Sequence, residues 1–481
     1  MRFLFISVIF AFVQIGHSQE KPRKHEINLN QYAIYDLDLL PASFHKKNRA
    51  NLRNLMSNNS VAIFFSNSIK NRSNDVNFQY HQDPNFYYLT GLKEPNSILV
   101  LFKNQVLING EKTKEILFVQ PKEKSKEVWT GKRLGKVGAE MILEIETAYS
   151  NKDFNATDFQ FEHFDKVYHL PKQEDVNDNV FDKSDLYNLY LQFESKTATV
   201  ALENDDLTKL SLWLARLREV KSEEELLLMR KAIDITCIAQ KELIKALEPK
   251  MTEYQSEAIV EYIFKANGAE YPGFPSILGS GENSCVLHYS SNRKTMLGDN
   301  LLVSDIGAEY HGYTADVTRT IPVDGHFSKE EKIIYDIVLK AQEAGIKECK
   351  AGNSFWDPNI AATSVISQEL QKLGIIKSPI GVRRYFMHGT SHYLGLDVHD
   401  VGTYLPLKAN SVITVEPGIY IPEGSPCDKK WWNIGVRIED DVLITTDRPE
   451  VLSDCIPKTT KAIELMMLEK GIFTSPRVIK D

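Results

Sequence analysis

The stretch that most constrains this chain is 301–321, where two arms rich in Leu, Val, Ile, Tyr and Thr flank Gly312. That composition predicts a β-hairpin. Each arm carries an acid, Asp305 on the first and Asp316 on the second. Folding the hairpin about the midpoint between Tyr310 and His311 sets these two directly opposite each other, on one face of the sheet. Carboxylates so placed repel, and a divalent metal ion is the economical countercharge. The alternative is a solvated hairpin in another register, in which the two charges never meet.

Three later segments bear on that choice. Residues 388–400 hold His388, His392 and His399, a dense group for a chain with 12 histidines, and their glycines predict a loop. Residues 411–420 read as a strand that ends in Glu416 before a Pro417-Gly418 turn. Residues 434–443 read as a strand containing Glu439, a costly place for a charge without a partner. Together Asp305, Asp316, Glu416 and Glu439, with one or more of the three histidines, form an oxygen-rich set without thiolate. Such a set suits hard or borderline divalent ions such as Mn, Co, Fe or Zn. Four carboxylates exceed what one ion needs, and could bridge two ions ~3.5–4 Å apart, as in hydrolytic two-metal sites. No His-Glu-x-x-His run is present, so this is not a zincin helix.

The chain of 481 residues is long enough for two or three domains, and 42% hydrophobic content gives it a sizeable core. A net charge of −8 with no basic block points away from nucleic acid. Arg2, the apolar run 3–15 and the small residues Gly16 and Ser18 read as a secretory leader, 1–18, with cleavage expected after Ser18, against the alternatives of an uncleaved anchor or a buried N-terminal helix. No later segment approaches transmembrane length, so the expected mature protein is exported, periplasmic or secreted, with no membrane span. The five cysteines are widely spaced and read as packing residues, with Cys427 and Cys455 as a pairing that remains open. An extended arm is expected over 19–40, a helix from 41 and strands over 61–65, 97–102 and 115–119. Asp83-Pro84-Asn85 reads as a break followed by an aromatic patch, Phe86-Tyr87-Tyr88, that faces either core or partner. Ser222 and Glu225 form a capping box ahead of a long helix, which places a domain boundary near 216. His81 and His163 read as surface or hydrogen-bonded histidines.

From Ser222 to about Leu468 the chain resembles the creatinase/aminopeptidase, or pita-bread, metallopeptidase family, and within it the bacterial aminopeptidase P group. Residues 41–120 resemble that group's N-terminal domain, notably Tyr80-His81-Gln82-Asp83-Pro84-Asn85-Phe86-Tyr87-Tyr88-Leu89-Thr90-Gly91. The resemblance implies an α/β (α+β) protein. A mixed α/β domain, 19–216, would precede a catalytic domain, 217–481, with a curved antiparallel sheet backed by helices. It implies two divalent ions, often Mn(II), held by Asp305, Asp316, His392, Glu416 and Glu439, with Asp316 and Glu439 bridging. His288 would face the substrate, and His399 would polarise the scissile carbonyl. Glu416 would carry the proton, and His388 would line the proline pocket. Arg437, with Tyr420 a candidate beside it, would hold carboxylates in place. Arg319 and Asp397 keep structural readings. The implied activity is hydrolysis of the bond between an N-terminal residue and a following proline. The alternatives are an Xaa-Pro dipeptidase or a non-catalytic peptide-binding relative. A homo-oligomer is expected.

Overall fold

The computed structural model describes residues 29–474 apart from 33, 201, 203 and 299; the leader expected over 1–18 lies outside the described residues. The N-terminal half is built on a five-stranded sheet with Ser60–Phe65 near its middle, antiparallel to Ile98–Ile108 and parallel to Lys166–His169. Glu111–Val119 and Thr147–Ser150 extend it on the far side of Ile98–Ile108. Successive side chains point to opposite faces of a strand, so the unbroken apolar run of 60–65 serves two cores. Val61, Ile63 and Phe65 pack with Phe154, Phe159, Phe161 and Phe193. Ala62 and Phe64 face a larger core that continues through Phe44, Leu52 and Tyr88 into the C-terminal half.

The break expected at 83–85 is a helix start. The Asp83 side chain accepts the Phe86 N–H, Pro84 opens the helix Pro84–Thr90, and Gly91 closes it at φ 71°. Phe86, Tyr87 and Tyr88 are all buried, so the aromatic patch belongs to the core.

In the C-terminal half the helices Glu223–Ala246, Glu253–Ala266, Lys329–Glu348 and Asp357–Lys372 back a set of antiparallel ribbons. The capping box is present in both directions between Ser222 and Glu225. The hairpin does form, in a register two residues from the one expected. Leu301–Ile306 pairs with Val317–Pro322 so that Asp305 lies opposite Thr318, and Tyr310 pairs with Tyr313 at the tip. The turn is His311-Gly312, both at positive φ (51° and 92°), the two-residue geometry that matches strand twist. A shift of two preserves side-chain parity, so Asp305 and Asp316 stay on one face as diagonal rather than direct neighbours. A Cβ on Gly307 would stand 1.8 Å from the Ala315 carbonyl oxygen, so the arms close between the two acids only with glycine there.

A second ribbon shares this construction. Val412–Val415 pairs with Asp440–Leu443, and Gly418–Ile421 with Ile434–Arg437. The same register runs through both, and the ladder is interrupted where Glu416-Pro417 faces Ile438-Glu439. The turn expected after Glu416 is therefore a gap in a strand that resumes at Gly418. Proline has no N–H to give to a ladder, which helps to open the gap.

The cysteine pairing left open over Cys427 and Cys455 is corrected. Cys455 bonds to Cys237 on the helix Glu223–Ala246, with Cα atoms 6.4 Å apart, and Cys427 remains a thiol. The partners are 218 residues apart in sequence, so only the folding of helix against C-terminal loop brings them together. Between the two halves, Arg218 at the end of Asn204–Arg218 donates to Asn85 Oδ1 at 2.8 Å, to Asp397 and to Asp400, and Lys221 reaches Asp400 at 2.9 Å. That loop, 393–408, carries His399.

Candidate metal centre

Each expected acid stands where a strand is interrupted or about to end. Asp305 is the penultimate residue of Leu301–Ile306, Asp316 immediately precedes Val317–Pro322, and Glu416 and Glu439 occupy the gap in the second ribbon. Outside a regular ladder, a side chain can turn inward between sheet segments. The freed backbone groups are satisfied from the helices and from neighbouring strands. Gln240 Nε2 donates to the carbonyls of Ser304 and Val317 at 2.9 and 3.0 Å, and Glu439 N–H donates to Thr318 O at 3.1 Å.

These acids converge. Ligand atoms of Asp316, His392 and Glu439 all lie within 4.8 Å of one another. His392 Nε2 stands 3.3 Å from Asp316 Oδ2 and 3.4 Å from Glu416 Oε1. His392 Nδ1 lies 3.0 Å from the Tyr393 carbonyl, which can only accept, so the proton sits on Nδ1 and Nε2 offers its lone pair to the cluster. That tautomer is the one a metal-ligating imidazole uses.

The electrostatics show what the cluster lacks. Burial, then the charges of Asp305 and Glu416, push the Asp316 carboxyl well above the ordinary range. Burial, then Asp316 and Glu416, do the same to Glu439. Asp305 Oδ1, Asp316 Oδ1 and Glu439 Oε1 are buried without a hydrogen-bond partner among the described residues. Buried carboxylate oxygens are normally satisfied. Cations placed among them would supply both the missing contacts and the missing charge, so the donor set fits divalent metal ions.

Arg437 is the countercharge the protein itself supplies. Its buried guanidinium donates to Asp305 Oδ2 at 2.5 Å, Tyr420 OH at 3.0 Å and Thr318 Oγ1 at 3.2 Å. Tyr420 in turn lies 2.9 Å from His388 Nε2. Since Tyr420 already accepts from Arg437, it donates to His388, whose Nδ1 then donates to the Gly389 carbonyl at 2.8 Å. Burial lowers the pKa of His388. His388 Nδ1 is also 3.6 Å from Glu416 Oε2.

His399 sits with its ring 4.5 Å from that of His392. Burial, then the neighbouring His392 and His288, lower its pKa despite the pull of Glu416. His288 and His399 are both exposed, so they stand at the open side of the cluster while the four acids lie deeper. The backbone ahead of His288 is tied in by Arg437, which reaches the Leu287 carbonyl at 3.4 Å.

Residue-by-residue reading missed two supports. Thr318 Oγ1 donates to Glu439 Oε2 at 2.6 Å, and Asp441 Oδ2 accepts the Asp316 N–H at 3.2 Å. Both lie two residues along a strand from an acid already singled out, and period-two parity would have found them. Arg319 bonds the carbonyls of Thr318 and Glu439 and the Asp440 carboxylate, in keeping with its structural reading. His81 is hydrogen-bonded, to Glu309 at 3.0 Å.

The sequence model of metallopeptidase family M24 matches residues 227–446, and that of the aminopeptidase P N-terminal domain matches 45–163. A Xaa-Pro aminopeptidase of Haemophilus influenzae is 34% identical over 442 residues, which span 89% of this chain and 98% of the relative. The structure of Escherichia coli aminopeptidase P with the inhibitor Pro-Leu superposes with a TM-score of 0.80 at 32% identity, covering 89% of this chain and 99% of that one. A zinc-substituted form of the E. coli enzyme in complex with product gives 0.79 at 31% identity, over the same shares.

Proposed function

The chain belongs to metallopeptidase family M24 and is a metallo-aminopeptidase, and from that premise we propose that it is exported and removes the N-terminal residue from peptides with proline in second place. The observation that carries this reading is the convergence of Asp316, His392 and Glu439 around carboxylate oxygens that have no partner among the described residues. Asp305, Asp316, His392, Glu416 and Glu439 would hold the divalent ions, two in our reading, which we take to be Mn(II). When bound, the ions polarise the scissile carbonyl and make water nucleophilic near neutral pH.

The remaining steps are the work of side chains. The carboxylates receive the substrate's free amino terminus. Glu416, at the edge of the cluster with its side chain 18% exposed, takes the proton of the attacking water and passes it to the leaving proline nitrogen. That nitrogen belongs to a tertiary amide and needs a proton to leave. His399 and His288 donate to the carbonyl oxygen as negative charge grows on it, which favours the transition state over the ground state. His388, held by Tyr420, forms a wall against the proline ring, and Arg437 keeps Asp305 in one orientation. Export is supported by the leader-like N-terminus and by the Cys237–Cys455 disulfide, a bond that persists in oxidising compartments. Exposed apolar side chains on the N-terminal half, among them Leu37, Trp129 and Phe181, suit an oligomer.

The test is a chelator-stripped protein reconstituted with Mn(II) and offered an Xaa-Pro dipeptide, a tripeptide and longer Xaa-Pro peptides. Release of the first residue from the tripeptide and longer substrates is expected. Hydrolysis of the dipeptide alone would replace this reading with a dipeptidase. Mass spectrometry of the exported protein should find Gln19 at its N-terminus.

A further inference from the structure

The disulfide joins a helix to a loop that is hydrogen-bonded, through Arg319, to the backbone of Glu439. Cys237 is buried on the helix Glu223–Ala246, and Cys455 is exposed in the loop 452–458. That loop grips the strand Asp440–Leu443, which begins directly after Glu439. Ser453 Oγ donates to Asp440 Oδ1 at 2.6 Å and accepts the Asp441 N–H at 3.2 Å. Lys458 Nζ reaches Asp440 Oδ2 at 2.8 Å, and the Lys458 carbonyl accepts Tyr335 OH at 2.8 Å. The carbonyls of Ile456 and Pro457, which directly follow Cys455, accept from Arg319 at 3.4 and 3.3 Å.

Arg319 transmits this grip. It is fully buried, and its other hydrogen bonds go to Asp440 Oδ1 at 2.8 Å, Thr318 O at 2.9 Å and Glu439 O at 2.7 Å. A buried guanidinium that loses acceptors is costly and must move or admit water. Displacing the loop would therefore release the Glu439 carbonyl and the carbonyl of Thr318, whose hydroxyl holds the Glu439 carboxylate.

We propose that the Cys237–Cys455 disulfide is a positioning element of the metal centre. It pins the loop that supplies acceptors to Arg319, and Arg319 fixes the backbone from which Glu439 reaches the ions. The inference rests on the reading that this cluster holds divalent metal. It couples metal affinity to the oxidising compartment in which the bond forms. A disulfide that only constrained the unfolded chain would raise stability and leave metal affinity where it was.

The test measures the affinity of the purified full chain for Mn(II) alone by competition with a chromophoric chelator. It compares the oxidised protein, the Cys237→Ser/Cys455→Ser variant and Arg319→Lys. The oxidised chain should show three free thiols. With far-UV circular dichroism unchanged, Mn(II) binding should weaken about 10- to 100-fold in the double serine variant, the range typical of losing a group that orients a metal ligand. Arg319→Lys should weaken it in the same direction. Should the double variant not fold, the oxidised protein is treated with a water-soluble phosphine, which is oxidised as the disulfide becomes two thiols. The desalted protein must then lose affinity, and reoxidation must restore it. Affinity within twofold of the oxidised protein in the folded variant or the reduced chain overturns the proposal, as do five free thiols before reduction. If the oxidised protein binds no Mn(II), Zn(II) or Co(II), the two-metal reading fails and takes this inference with it.

Discussion

Replacing Arg437 with methionine removes the one cation hydrogen-bonded to Asp305 among the described residues and leaves the acids facing one another. In the metal-free protein this breaks a buried ion pair, a change that costs about 3–5 kcal/mol because the surviving charge stays buried. The hydrogen bonds to Tyr420 and Thr318 go with it, and the Leu287 carbonyl loses a donor. Since Asp316 and Glu439 are already pushed toward their protonated forms, part of the loss will be met by proton uptake. Bound cations change the balance, because they supply the positive charge that Arg437 no longer does. The expected outcome is thus a difference of differences. In chelator, Arg437→Met should lower the melting temperature by about 6–20 °C relative to the parent, taking roughly 2–4 °C per kcal/mol for a unit of this size. At saturating Mn(II) the gap should narrow to less than half, whereas Arg437→Lys, which keeps charge but loses the fork, should fall between the two in chelator. Differential scanning calorimetry with and without metal reads all three. An equal loss in both conditions would show that Arg437 acts as a packing residue and would refute the electrostatic account.

Three other outcomes follow from the geometry. Gly307→Ala puts a Cβ 1.8 Å from the Ala315 carbonyl, so it should cost at least 1–3 kcal/mol in chemical denaturation and weaken metal binding by prising the two acidic arms apart. The His81–Glu309 contact, which joins the two halves, raises the His81 pKa through the Glu309 carboxylate. A folded pKa above the unfolded one gives stability that is complete below about pH 6.5 and is lost as pH rises through the raised value. The melting temperature of the parent should therefore drop over that window relative to Glu309→Gln, which lacks the slope. Ser222→Ala removes one side of the capping box and should cost about 1 kcal/mol by urea unfolding, with kcat and KM for an Xaa-Pro peptide unchanged.

How much of this was legible beforehand differs from residue to residue, and the reason is the range of the interactions involved. Local pattern sufficed for the Ser222–Glu225 cap, for the strand at 60–65 and for the acids of 301–321, because each depends on neighbours within a few positions. The Asp83-Pro84 and Gly91 signals of a short helix were equally local, and were overlooked in favour of a break. The hairpin register was out by two because the turn was centred on Tyr310–His311 rather than on His311-Gly312. The side-chain face survived because sheet parity repeats every second residue. No local pattern could pair Glu416 with Glu439, tie Arg437 to Asp305 or join Cys237 to Cys455, since those partners meet only after helices and ribbons pack. Residue chemistry by itself determined that acids and histidines of metal-binding type were present and which strands carried them. The tertiary structure alone decided their convergence, because charges brought together against repulsion need a whole core to hold them.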